Sequence, residues 1–451
     1  MTTTENYAKL PAGRPEESLP DHHPSYSRAD AVVEARRCLY CYEAPCQDAC
    51  PTEIDIPTFI RKIATGNLRG AAKTILASNV NALSCARVCP VEVLCAGSCV
   101  YNHLDGGQPP IAIGRLQQHA LEHAYTQGTV HTLLGPKDPP TGRKIALVGA
   151  GPASLAAAAE LTLRGHSCVI FEGRDFPGGL NTTGVAPYKM KASEALREVQ
   201  MVLDLGVELR TNTMVGRDVT PEELLDQYDA VFLGVGLGPD GAVGADGEDL
   251  PGVHGAVALI ERLKTEPGPV TEGVAHAVVI GGGNTAIDIA RELKFLRVPE
   301  VTMVYRRGEP AMSAYEHEQE AAKHEGVRFL HWHQPVVFRG TDRVRSVQLA
   351  RTKEGANGRL EVTEQLVEIP CDLVALAVGQ GKLKELCESF PGVQFTGGRV
   401  VVDSQTGRTG NPRVFAGGDV ANGGKEVVNA TAEGKLAAKA IHQMLSNGHA
   451  A

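Results

Sequence analysis

The sequence predicts a small α-helical, cysteine-rich domain followed by two α/β Rossmann-like dinucleotide-binding domains. Three observations support this fold class. Eight of the eleven cysteines fall between Cys38 and Cys99. Two glycine-rich turns, at 149–154 and 281–286, each follow an apolar strand pattern and precede a helical pattern. A chain of 451 residues is long enough for about three domains of ordinary size.

Charge and hydropathy exclude several classes of partner. Lysine and arginine number 44 against 53 aspartate and glutamate residues, which gives a net charge of −9, and there is no long basic run. A nucleic-acid-binding surface is therefore not expected. No stretch approaches the ~18 uncharged apolar residues of a membrane-spanning helix, and the N-terminus lacks the apolar centre of a secretory signal. We expect a cytoplasmic protein, with no membrane segment, whose partners are proteins and small molecules.

The cysteines form two motifs, each with a Cys-Pro step. The first motif is Cys38-x2-Cys41-x4-Cys46-x3-Cys50-Pro51, and the second is Cys85-x3-Cys89-Pro90-x4-Cys95-x3-Cys99. Cytoplasmic thiols stay reduced, which favours metal or redox chemistry over disulfides. In two-cluster ferredoxins the cysteine of a Cys-Pro step ligates the other cluster. The motifs therefore predict iron–sulfur clusters that share ligands crosswise, with one or two zinc sites as the alternative.

The segment between the two motifs predicts the fold of this first domain. Residues 56–79 carry apolar side chains at roughly helical spacing, with a glycine near the middle. We interpret the segment as two short helices in a small helical domain.

The first α/β unit covers 144–175. An apolar strand, a glycine-rich turn, an alanine-rich helix and a second apolar strand follow one another there. Gly149 permits the tight turn, and Gly151 lets the backbone approach a pyrophosphate at the helix N-terminus. Ser154 stands at the third glycine position. Glu172 ends the second strand, where an acidic side chain accepts hydrogen bonds from a ribose hydroxyl.

The second α/β unit covers 276–308, so two nucleotides are expected. Gly281 and Gly283 lie in its turn, and Ala286 stands at the third position. The second strand ends in Arg306 and Arg307, whose guanidinium groups suit a 2′-phosphate and favour NADPH. In the alternative reading these arginines only cap a solvated strand end close to Glu309. NADH and NADPH therefore both remain candidates.

A third motif, within 408–441, resembles the second FAD motif of two-dinucleotide flavoproteins. An apolar strand leads through Gly417 and Gly418 to Asp419 and an amphipathic helix. The resemblance implies that Asp419 contacts the ribityl chain and that the helix N-terminus faces the pyrimidine end of the flavin. The alternative is an ordinary helix-cap aspartate.

The motifs divide the chain into three domains. An N-terminal arm and the helical domain, in which we expect the iron–sulfur clusters, take 1–135. The FAD-binding domain is discontinuous, at 140–256 and 385–451, and the NAD(P)-binding domain takes 257–384. The first ~30 residues are rich in proline and polar residues, so we expect a loosely ordered arm.

Taken together, these features resemble the small subunit of glutamate synthase and the N-terminal part of dihydropyrimidine dehydrogenase. The resemblance spans nearly the whole chain and is closest to the NAD(P)H-oxidising subunit of bacterial dihydropyrimidine dehydrogenase. It rests on CLYCYEAPCQDACP, GNLRGAAKTI, CARVCPVEVLCAGSC and PIAIGRLQQ.

The resemblance implies a ligand set for each cluster. One 4Fe-4S cluster would be held by Cys38, Cys41, Cys46 and Cys99, and the other by Cys50, Cys89, Cys95 and Gln117. An amide ligand is unusual because its oxygen is a harder donor than a thiolate. Cys85 is the alternative fourth ligand.

The resemblance also implies nucleotide contacts. The contacts on the FAD side are Gly149, Gly151, Pro152, Ala153, Ser154, Leu155, Glu172, Gly178, Gly179, Leu180, Lys189, Gly418 and Asp419. Those on the nicotinamide side are Gly281, Gly282, Gly283, Asn284, Thr285, Arg306, Arg307 and Gly379. NADPH-using relatives carry a further arginine where this chain has Ser313, which weakens the case for a 2′-phosphate site.

The implied function is electron input to another polypeptide. A hydride would pass from NAD(P)H to FAD, and single electrons would pass through two 4Fe-4S clusters to an FMN- and iron–sulfur-containing catalytic subunit that reduces uracil or thymine. The main alternative is a glutamate synthase small subunit, and a zinc-containing nucleotide-sensing scaffold is an alternative of another class. A disulfide reductase is disfavoured because no Cys-x2-Cys pair accompanies the flavin motifs. The sequence assigns no catalytic proton donor.

Overall fold

The computed structural model describes residues 7–128, 130–356 and 358–447. The helices are α1 (Arg28–Arg36), α2 (Pro45–Asp48), α3 (Ile56–Ala64), α4 (Leu68–Ser78), α5 (Ala82–Val88), α6 (Ile113–Thr126), α7 (Pro152–Leu163), α8 (Leu180–Thr183), α9 (Ala192–Leu203), α10 (Pro221–Gln227), α11 (Ala256–Thr265), α12 (Asn284–Phe295), α13 (Glu316–His324), α14 (Lys384–Glu388), α15 (Asp419–Asn422) and α16 (Val427–Asn447). The strands are β1 (Lys144–Val148), β2 (Ser167–Phe171), β3 (Glu208–Arg210), β4 (Ala230–Leu233), β5 (Val253–Gly255), β6 (His276–Ile280), β7 (Glu300–Tyr305), β8 (Arg328–His331), β9 (His333–Gly340), β10 (Val344–Glu354), β11 (Leu360–Pro370), β12 (Leu373–Leu376), β13 (Phe395–Thr396), β14 (Arg399–Val400) and β15 (Val414–Ala416).

Helices α1–α6 form the predicted N-terminal helical domain. Asp55 caps α3 by accepting a hydrogen bond from Thr58 N, and the apolar face of α3 is buried. The chain turns at Gly66, whose φ of 79° is left-handed, and Asn67 then caps α4. The predicted pair of short helices between the cysteine motifs is therefore α3 and α4.

The first sheet is parallel throughout and has the order β15-β4-β1-β2-β3. Strand β4 is buried along its whole length, and β1 is buried after its first residue, as in sheets covered on both faces. Helices α7 and α16 pack against each other beside the sheet. Gly434 permits the close approach, because a Cβ there would lie 2.1 Å from the carbonyl oxygen of Ala153.

The second sheet is also parallel and has the order β5-β12-β6-β7-β8. A three-stranded antiparallel sheet, β11-β10-β9, follows β8. The chain enters the second sheet at β5, a few residues before the domain limit predicted at 257. It crosses between the sheets on two neighbouring segments, where Gly241 N donates to Gly379 O at 2.8 Å and Gly238 N donates to Gly381 O at 2.9 Å.

The arm before α1 packs against the protein from Tyr7 onward, where Tyr7 and Leu10 contact the core, so the expectation of a loosely ordered arm was wrong there. Glu16 is fully buried and accepts a hydrogen bond from Ala192 N at 3.0 Å. Gly13 O accepts from Gly268 N at 3.1 Å. Although Glu16 is charged, its carboxylate is satisfied by the backbone N–H of Ala192 and the guanidinium of Arg14 instead of by water. Residues 1–6 of the predicted arm lie outside the described residues.

Among the described residues, no helix has both the length and the apolar character that crossing a membrane requires.

Candidate functional site

A cavity of about 1480 Å³ lies where the helical domain and the two α/β domains meet. Its walls include residues of both predicted nucleotide sites: the turn before α7 and Asp419 on one side, and Asn284 and Thr285 of α12 on the other. Many unrelated stretches of sequence converge here, which makes this cavity the candidate functional site.

The glycine-rich turn before α7 is shaped by close backbone contacts. Gly149 has a φ of 87°, and a Cβ at this position would lie 2.7 Å from Gly234 O. A Cβ on Gly179 would lie 2.9 Å from the Cα of Gly151. Two glycine segments thus face each other across a gap that side chains would close. With the N-terminus of α7 beside them, they form a cradle that fits the pyrophosphate of a dinucleotide.

Glu172 braces the same turn. Its carboxylate accepts hydrogen bonds from Ala150 N at 2.8 Å and from Arg174 N at 3.0 Å, and burial raises its pKa. Each carboxylate oxygen therefore accepts one hydrogen bond from a backbone N–H group. Each oxygen also keeps a further lone pair that can accept from a ribose hydroxyl. Sequence reasoning placed Glu172 at the ribose but did not identify its contact with the turn.

The other residues predicted for FAD fall into two groups. Pro152, Ala153, Leu180, Gly418 and Asp419 line the cavity. Ser154 and Leu155 are buried behind the turn, and a Cβ on Gly234 would lie 2.2 Å from Ser154 Oγ. Ser154 therefore packs α7 against the end of β4, the place of the third glycine in such motifs.

Gly178 supports this wall from behind. It has a φ of 105°, and a Cβ there would lie 2.0 Å from Thr182 Oγ1. The contact between Gly234 and Ser154 is not visible in a local sequence window, because the two residues are 80 residues apart.

Lys189 lines the cavity but binds carboxylates of the second α/β domain. Its ammonium lies 2.7 Å from Asp288 Oδ1 and 2.8 Å from Glu318 Oε1. The two acidic neighbours raise its pKa against the effect of burial. Lys189 therefore joins the two dinucleotide domains at the cavity, a role that its position in the sequence does not reveal.

Asp419 begins α15 at the cavity wall. Its carboxylate accepts a hydrogen bond from Lys425 N at 3.2 Å, and burial raises its pKa. The N-terminus of α16 follows at Val427, which also lines the cavity. Asp419 and this helix N-terminus thus face the space predicted for the flavin.

Tyr315 and Glu426, which sequence reasoning missed, bridge the two sides of the cavity. Tyr315 Oη donates to Glu426 Oε1 at 2.7 Å, and both residues line the cavity. Burial, followed by the contact with Glu426, raises the pKa of Tyr315. Glu426 lies within the third motif but was not singled out there, and Tyr315 lies in none of the motifs, so only the fold shows that they meet.

The second glycine-rich turn meets α12 in the predicted manner. A Cβ on Gly281 would lie 2.4 Å from Ala377 O, and one on Gly282 would lie 2.5 Å from the ring of Tyr305. Gly283 precedes the first turn of α12. Asn284 accepts a hydrogen bond from Tyr315 N at 3.0 Å.

Arg306 and Arg307 follow β7, outside the walls of the large cavity. Arg306 is exposed and Arg307 is half-buried. Neither guanidinium has an ion-pair partner in the described part of the chain. Glu309 instead pairs with Lys323 at 2.6 Å. Gly379 lies at the crossing between the two sheets, with a φ of 101° and open space beside it.

The cysteines surround two small cavities in the helical domain. The first is lined by Cys38, Cys41, Cys46 and Cys99, and the second by Cys50, Cys85, Cys89, Cys95 and Gln117. The first motif thus contributes Cys50 to the second cavity, and the second motif contributes Cys99 to the first. We call these cavities cage one and cage two. The fold thus brings cysteines of both motifs to each cavity, and the crosswise sharing of ligands predicted from the two Cys-Pro steps stays a prediction.

Several thiols of the cages have raised pKa values. Burial and neighbouring thiols raise the pKa of Cys46 to about 12, and burial does the same for Cys95. A hydrogen bond with Cys85, together with burial, raises the pKa of Cys89. Such thiols become thiolates when a cation binds them, as iron–sulfur ligation requires. Within the described ranges, no three His, Cys, Asp or Glu side chains converge on a single-ion site.

Gln117 and Cys85 offer different fourth ligands to cage two. Gln117 Nε2 donates to Ala82 O at 2.7 Å, which leaves the amide oxygen as the free polar atom of that side chain. Cys85 Sγ accepts from Asn79 Nδ2 at 3.3 Å.

The cavity and the two cages adjoin one another. Cys89 and Val91 line both the large cavity and cage two, and Ile56 lines both cages. One layer of side chains therefore separates the nucleotide cavity from cage two, and another separates cage two from cage one.

Comparison with known proteins gives the same division of the chain. Residues 16–129 match the family described as dihydropyrimidine dehydrogenase domain II, 4Fe-4S cluster, and 143–434 match the pyridine nucleotide-disulphide oxidoreductase family. The Escherichia coli K12 glutamate synthase [NADPH] small chain is 34% identical, over 93% of this chain and 92% of that protein. The NAD-dependent dihydropyrimidine dehydrogenase subunit PreT of the same strain is also 34% identical, over 94% of this chain and 96% of that protein.

Solved structures show the same fold in the α/β part. Mycobacterium tuberculosis FprA in complex with NADPH superposes with a TM-score of 0.55 at 24% identity, covering 69% of this chain and 86% of FprA. Thioredoxin reductase of T. acidophilum superposes with a TM-score of 0.53 at 20% identity, covering 67% of this chain and 99% of the reductase.

The two family matches indicate binding of 4Fe-4S, FAD and NAD(P)H. The protein is an NAD(P)-dependent flavin oxidoreductase. It belongs to the family of flavin- and iron–sulfur-dependent oxidoreductase subunits that includes glutamate synthase small chains and dihydropyrimidine dehydrogenase subunit PreT.

Proposed function

We propose that this chain is the electron-input subunit of a dihydropyrimidine dehydrogenase, with two 4Fe-4S clusters between its nucleotide cavity and its partner. The observation that carries the proposal is the sequence of adjoining spaces. Cys89 belongs to the wall of the nucleotide cavity and to cage two, and Ile56 belongs to both cages. A protein that only sensed nucleotides would have no need of this arrangement.

FAD fits the side of the cavity formed by the first α/β domain. The facing glycines of the turn before α7 leave room for the pyrophosphate, and Glu172 reaches the ribose. Asp419 and the N-terminus of α16 stand where the ribityl chain and the pyrimidine end of the ring would lie. A helix N-terminus favours negative charge there, which eases reduction of the ring.

NAD(P)H fits the side formed by the second α/β domain. Asn284 and Thr285 face the cavity from the first turn of α12. The adenosine end would then extend along the C-terminal edge of the second sheet, towards Arg306 and Arg307. Because Glu309 is paired with Lys323, these two guanidinium groups remain available for a 2′-phosphate, whereas Ser313 stands where NADPH-using relatives carry a further arginine, so NADPH and NADH are both candidates.

Two clusters fit the two cages. Cys38, Cys41, Cys46 and Cys99 would hold one cluster, and Cys50, Cys89, Cys95 and Gln117 the other. The hydrogen bond from Gln117 to Ala82 O fixes the side-chain amide and leaves its oxygen as the ligand atom. We therefore favour Gln117 over Cys85 as the fourth ligand.

When bound, FAD accepts a hydride equivalent from the nicotinamide, and the iron–sulfur clusters carry its electrons singly. The chain itself positions the two rings and excludes water. Lys189 ties the domains together through Asp288 and Glu318, and the Tyr315–Glu426 hydrogen bond joins the same two domains. Such restraint holds reacting groups at the separation that hydride transfer needs.

The partner would be an FMN-bearing subunit that reduces uracil or thymine. Support comes from the matched dihydropyrimidine dehydrogenase domain and from the relation to PreT. A second candidate is a glutamate synthase small chain, because that relative is equally identical over a similar length.

Isolation of the partner tests the proposal. The tagged full chain is purified without oxygen from its native cells, and the complex is assayed with NADPH or NADH and either uracil or 2-oxoglutarate plus glutamine. Uracil-dependent nucleotide oxidation by an FMN-containing complex is the expected result. Nucleotide oxidation that depends only on 2-oxoglutarate and glutamine would instead support a glutamate synthase small chain. The absence of both activities from an intact complex would reject both assignments.

A further inference from the structure

Trp332, the only tryptophan of the chain, has an unusual backbone conformation. It directly follows β8, and its φ of 60° lies in the left-handed region. Bulky residues rarely adopt this conformation, because their Cβ crowds the backbone. The surrounding structure must therefore hold Trp332 in this conformation. Unfavourable backbone conformations of this kind cluster at functional sites.

Backbone hydrogen bonds tie Trp332 to the turn that carries the two arginines. Trp332 N donates to Arg307 O at 3.2 Å, and Trp332 O accepts from Thr352 N at 2.8 Å. The hydroxyl of Thr352 donates to Arg306 O at 2.7 Å. Thr352 is 1% exposed, so this clamp is shielded from water.

The indole ring lies beside the same turn. A Cβ on Gly308 would stand 3.0 to 3.2 Å from the indole atoms Cζ2, Cε2 and Nε1. The absence of a side chain at Gly308 is thus what allows the ring to approach. The indole remains only half-buried, so part of it is open to a ligand.

This turn is where the adenosine half of a dinucleotide is expected. Gly281 N donates to Val304 O at 3.0 Å, and the ring of Tyr305 covers Gly282, so the end of β7 adjoins the pyrophosphate turn. In Rossmann folds the ribose of the adenosine lies at the end of this second strand. The guanidinium groups of Arg306 and Arg307 stand there without ion-pair partners among the described residues.

We propose that Trp332 is a positioning residue for NAD(P)H, whose indole forms the wall against which the adenine packs beside the arginine turn. The proposal rests on the proposed NAD(P)H site and adds a contact at the end far from the nicotinamide. Adenine and indole both have large aromatic faces, and stacking between a base and an aromatic side chain changes affinity by about tenfold.

Intrinsic fluorescence of the wild-type protein provides a test that needs no variant. Because Trp332 is the single tryptophan, its emission reports on this site alone. Titration with ADP-ribose, which lacks the nicotinamide, should quench or shift that emission with the same dissociation constant that calorimetry gives. If calorimetry shows that ADP-ribose has saturated its site and the tryptophan emission is unchanged, the proposal is overturned.

Variants then separate the ring from the backbone. Trp332→Ala and Trp332→Gly should both weaken ADP-ribose binding about tenfold, and Trp332→Phe should stay within about twofold of wild type. Glycine relieves the left-handed conformation without restoring a ring, so recovery of affinity in Trp332→Gly would contradict the proposal. Val336→Ala, an exposed position on β9, is the matched control.

The kinetic signature distinguishes positioning from general damage. Trp332→Ala should raise the KM for NAD(P)H about tenfold and leave the rate of flavin reduction at saturating nucleotide unchanged. A fall in that saturating rate with an unchanged KM would contradict the proposal. If the wild-type flavin were never reduced, the proposed function would fail instead, and the ADP-ribose measurements would still judge the role of Trp332.

Discussion

Glu198 of the first α/β domain caps α5, the helix that leads into the wall of cage two. Its carboxylate accepts hydrogen bonds from Leu83 N at 2.7 Å, from Ser84 N at 3.1 Å and from the Ser84 hydroxyl. These donors begin α5, which bears Cys85 and ends beside Cys89. The FAD-binding domain therefore sets the position of a wall of cage two directly.

Loss of this cap should damage cage two. Glu198 is 1% exposed, so Glu198→Ala would leave buried donors without partners, at a cost of about 1–3 kcal/mol each. We expect a lower melting temperature and loss of about half the iron after desalting. Glu222→Ala, at an exposed position in α10, should change neither quantity. Full iron content in Glu198→Ala would argue against a positioning role for the cap.

Glu172→Gln should weaken FAD binding. The amide can accept only one of the two backbone hydrogen bonds, because its nitrogen is a donor, and bonds to a charged group are worth about 1.5–3 kcal/mol. A dissociation constant at least about tenfold higher is expected, measured from flavin retained after gel filtration. The control is Glu208→Gln, at an exposed position of β3. Equal flavin retention by both variants would refute the role of Glu172.

The fourth ligand of cage two can be assigned by comparing two variants. Gln117→Ala should alter the electron paramagnetic resonance signal of one cluster, whereas Cys85→Ser should preserve both signals and the iron content. Gln117→Cys should lower the reduction potential of that cluster, because a thiolate adds negative charge. The reverse pattern, with cluster loss in Cys85→Ser alone, would assign Cys85 instead.

Arg306 and Arg307 should determine the nucleotide preference. Replacing both by alanine should raise the KM for NADPH about tenfold or more and leave that for NADH nearly unchanged, since only NADPH carries the 2′-phosphate. Flavin reduction in stopped flow measures both constants. A parallel change for the two nucleotides would show that these arginines do not read the 2′-phosphate.

His166 should make stability depend on pH. Its ring lies 2.9 Å from His442 of α16 and 2.7 Å from Thr141, and burial, followed by the nearby His442, lowers its pKa to about 4. In the unfolded chain His166 takes up a proton near pH 6.5, whereas in the folded protein its ring stays neutral down to the lowered pKa. The free energy of unfolding therefore falls as the pH drops from 6.5 towards 4.

The measurement for His166 is the melting temperature between pH 7.5 and 5.5. His166→Gln removes the titrating group. Between pH 7.5 and 5.5 the melting temperature of this variant should therefore fall by less than that of the wild type. Identical slopes would exclude His166 as the source. The range stops at pH 5.5 so that the native pKa of about 4 is not reached.

Local patterns in the sequence were sufficient to predict much of this architecture. The strand–turn–helix units at Gly149 and Gly281 are set by short-range chemistry, namely left-handed or crowded glycines followed by a helix. The pair of helices between the cysteine motifs followed from apolar spacing and one glycine. The crosswise division of the cysteines was predicted from their two Cys-Pro steps, whereas the ligand set of each cluster required the family pattern, because spacing alone also allows zinc sites.

Contacts between distant segments could not be predicted in this way. Lys189 meets Asp288 and Glu318, about 100 and 130 residues further along the chain, and Glu198 meets Ser84 across a domain boundary. Glu16 lies in a stretch whose composition suggests disorder, yet it is buried against Ala192. Such pairings depend on how the domains pack, which no local window contains.

The most direct test of the electron-relay account is a reductive titration of the full chain, purified without oxygen. The account predicts about eight irons with matching sulfide and one FAD per chain, with both the flavin and cluster absorbance bleached on adding NADPH or NADH. Flavin that bleaches while the clusters remain oxidised, with the partner absent and nucleotide in excess, would contradict transfer from the cavity to the cages. Zinc in place of iron and sulfide would contradict the account altogether.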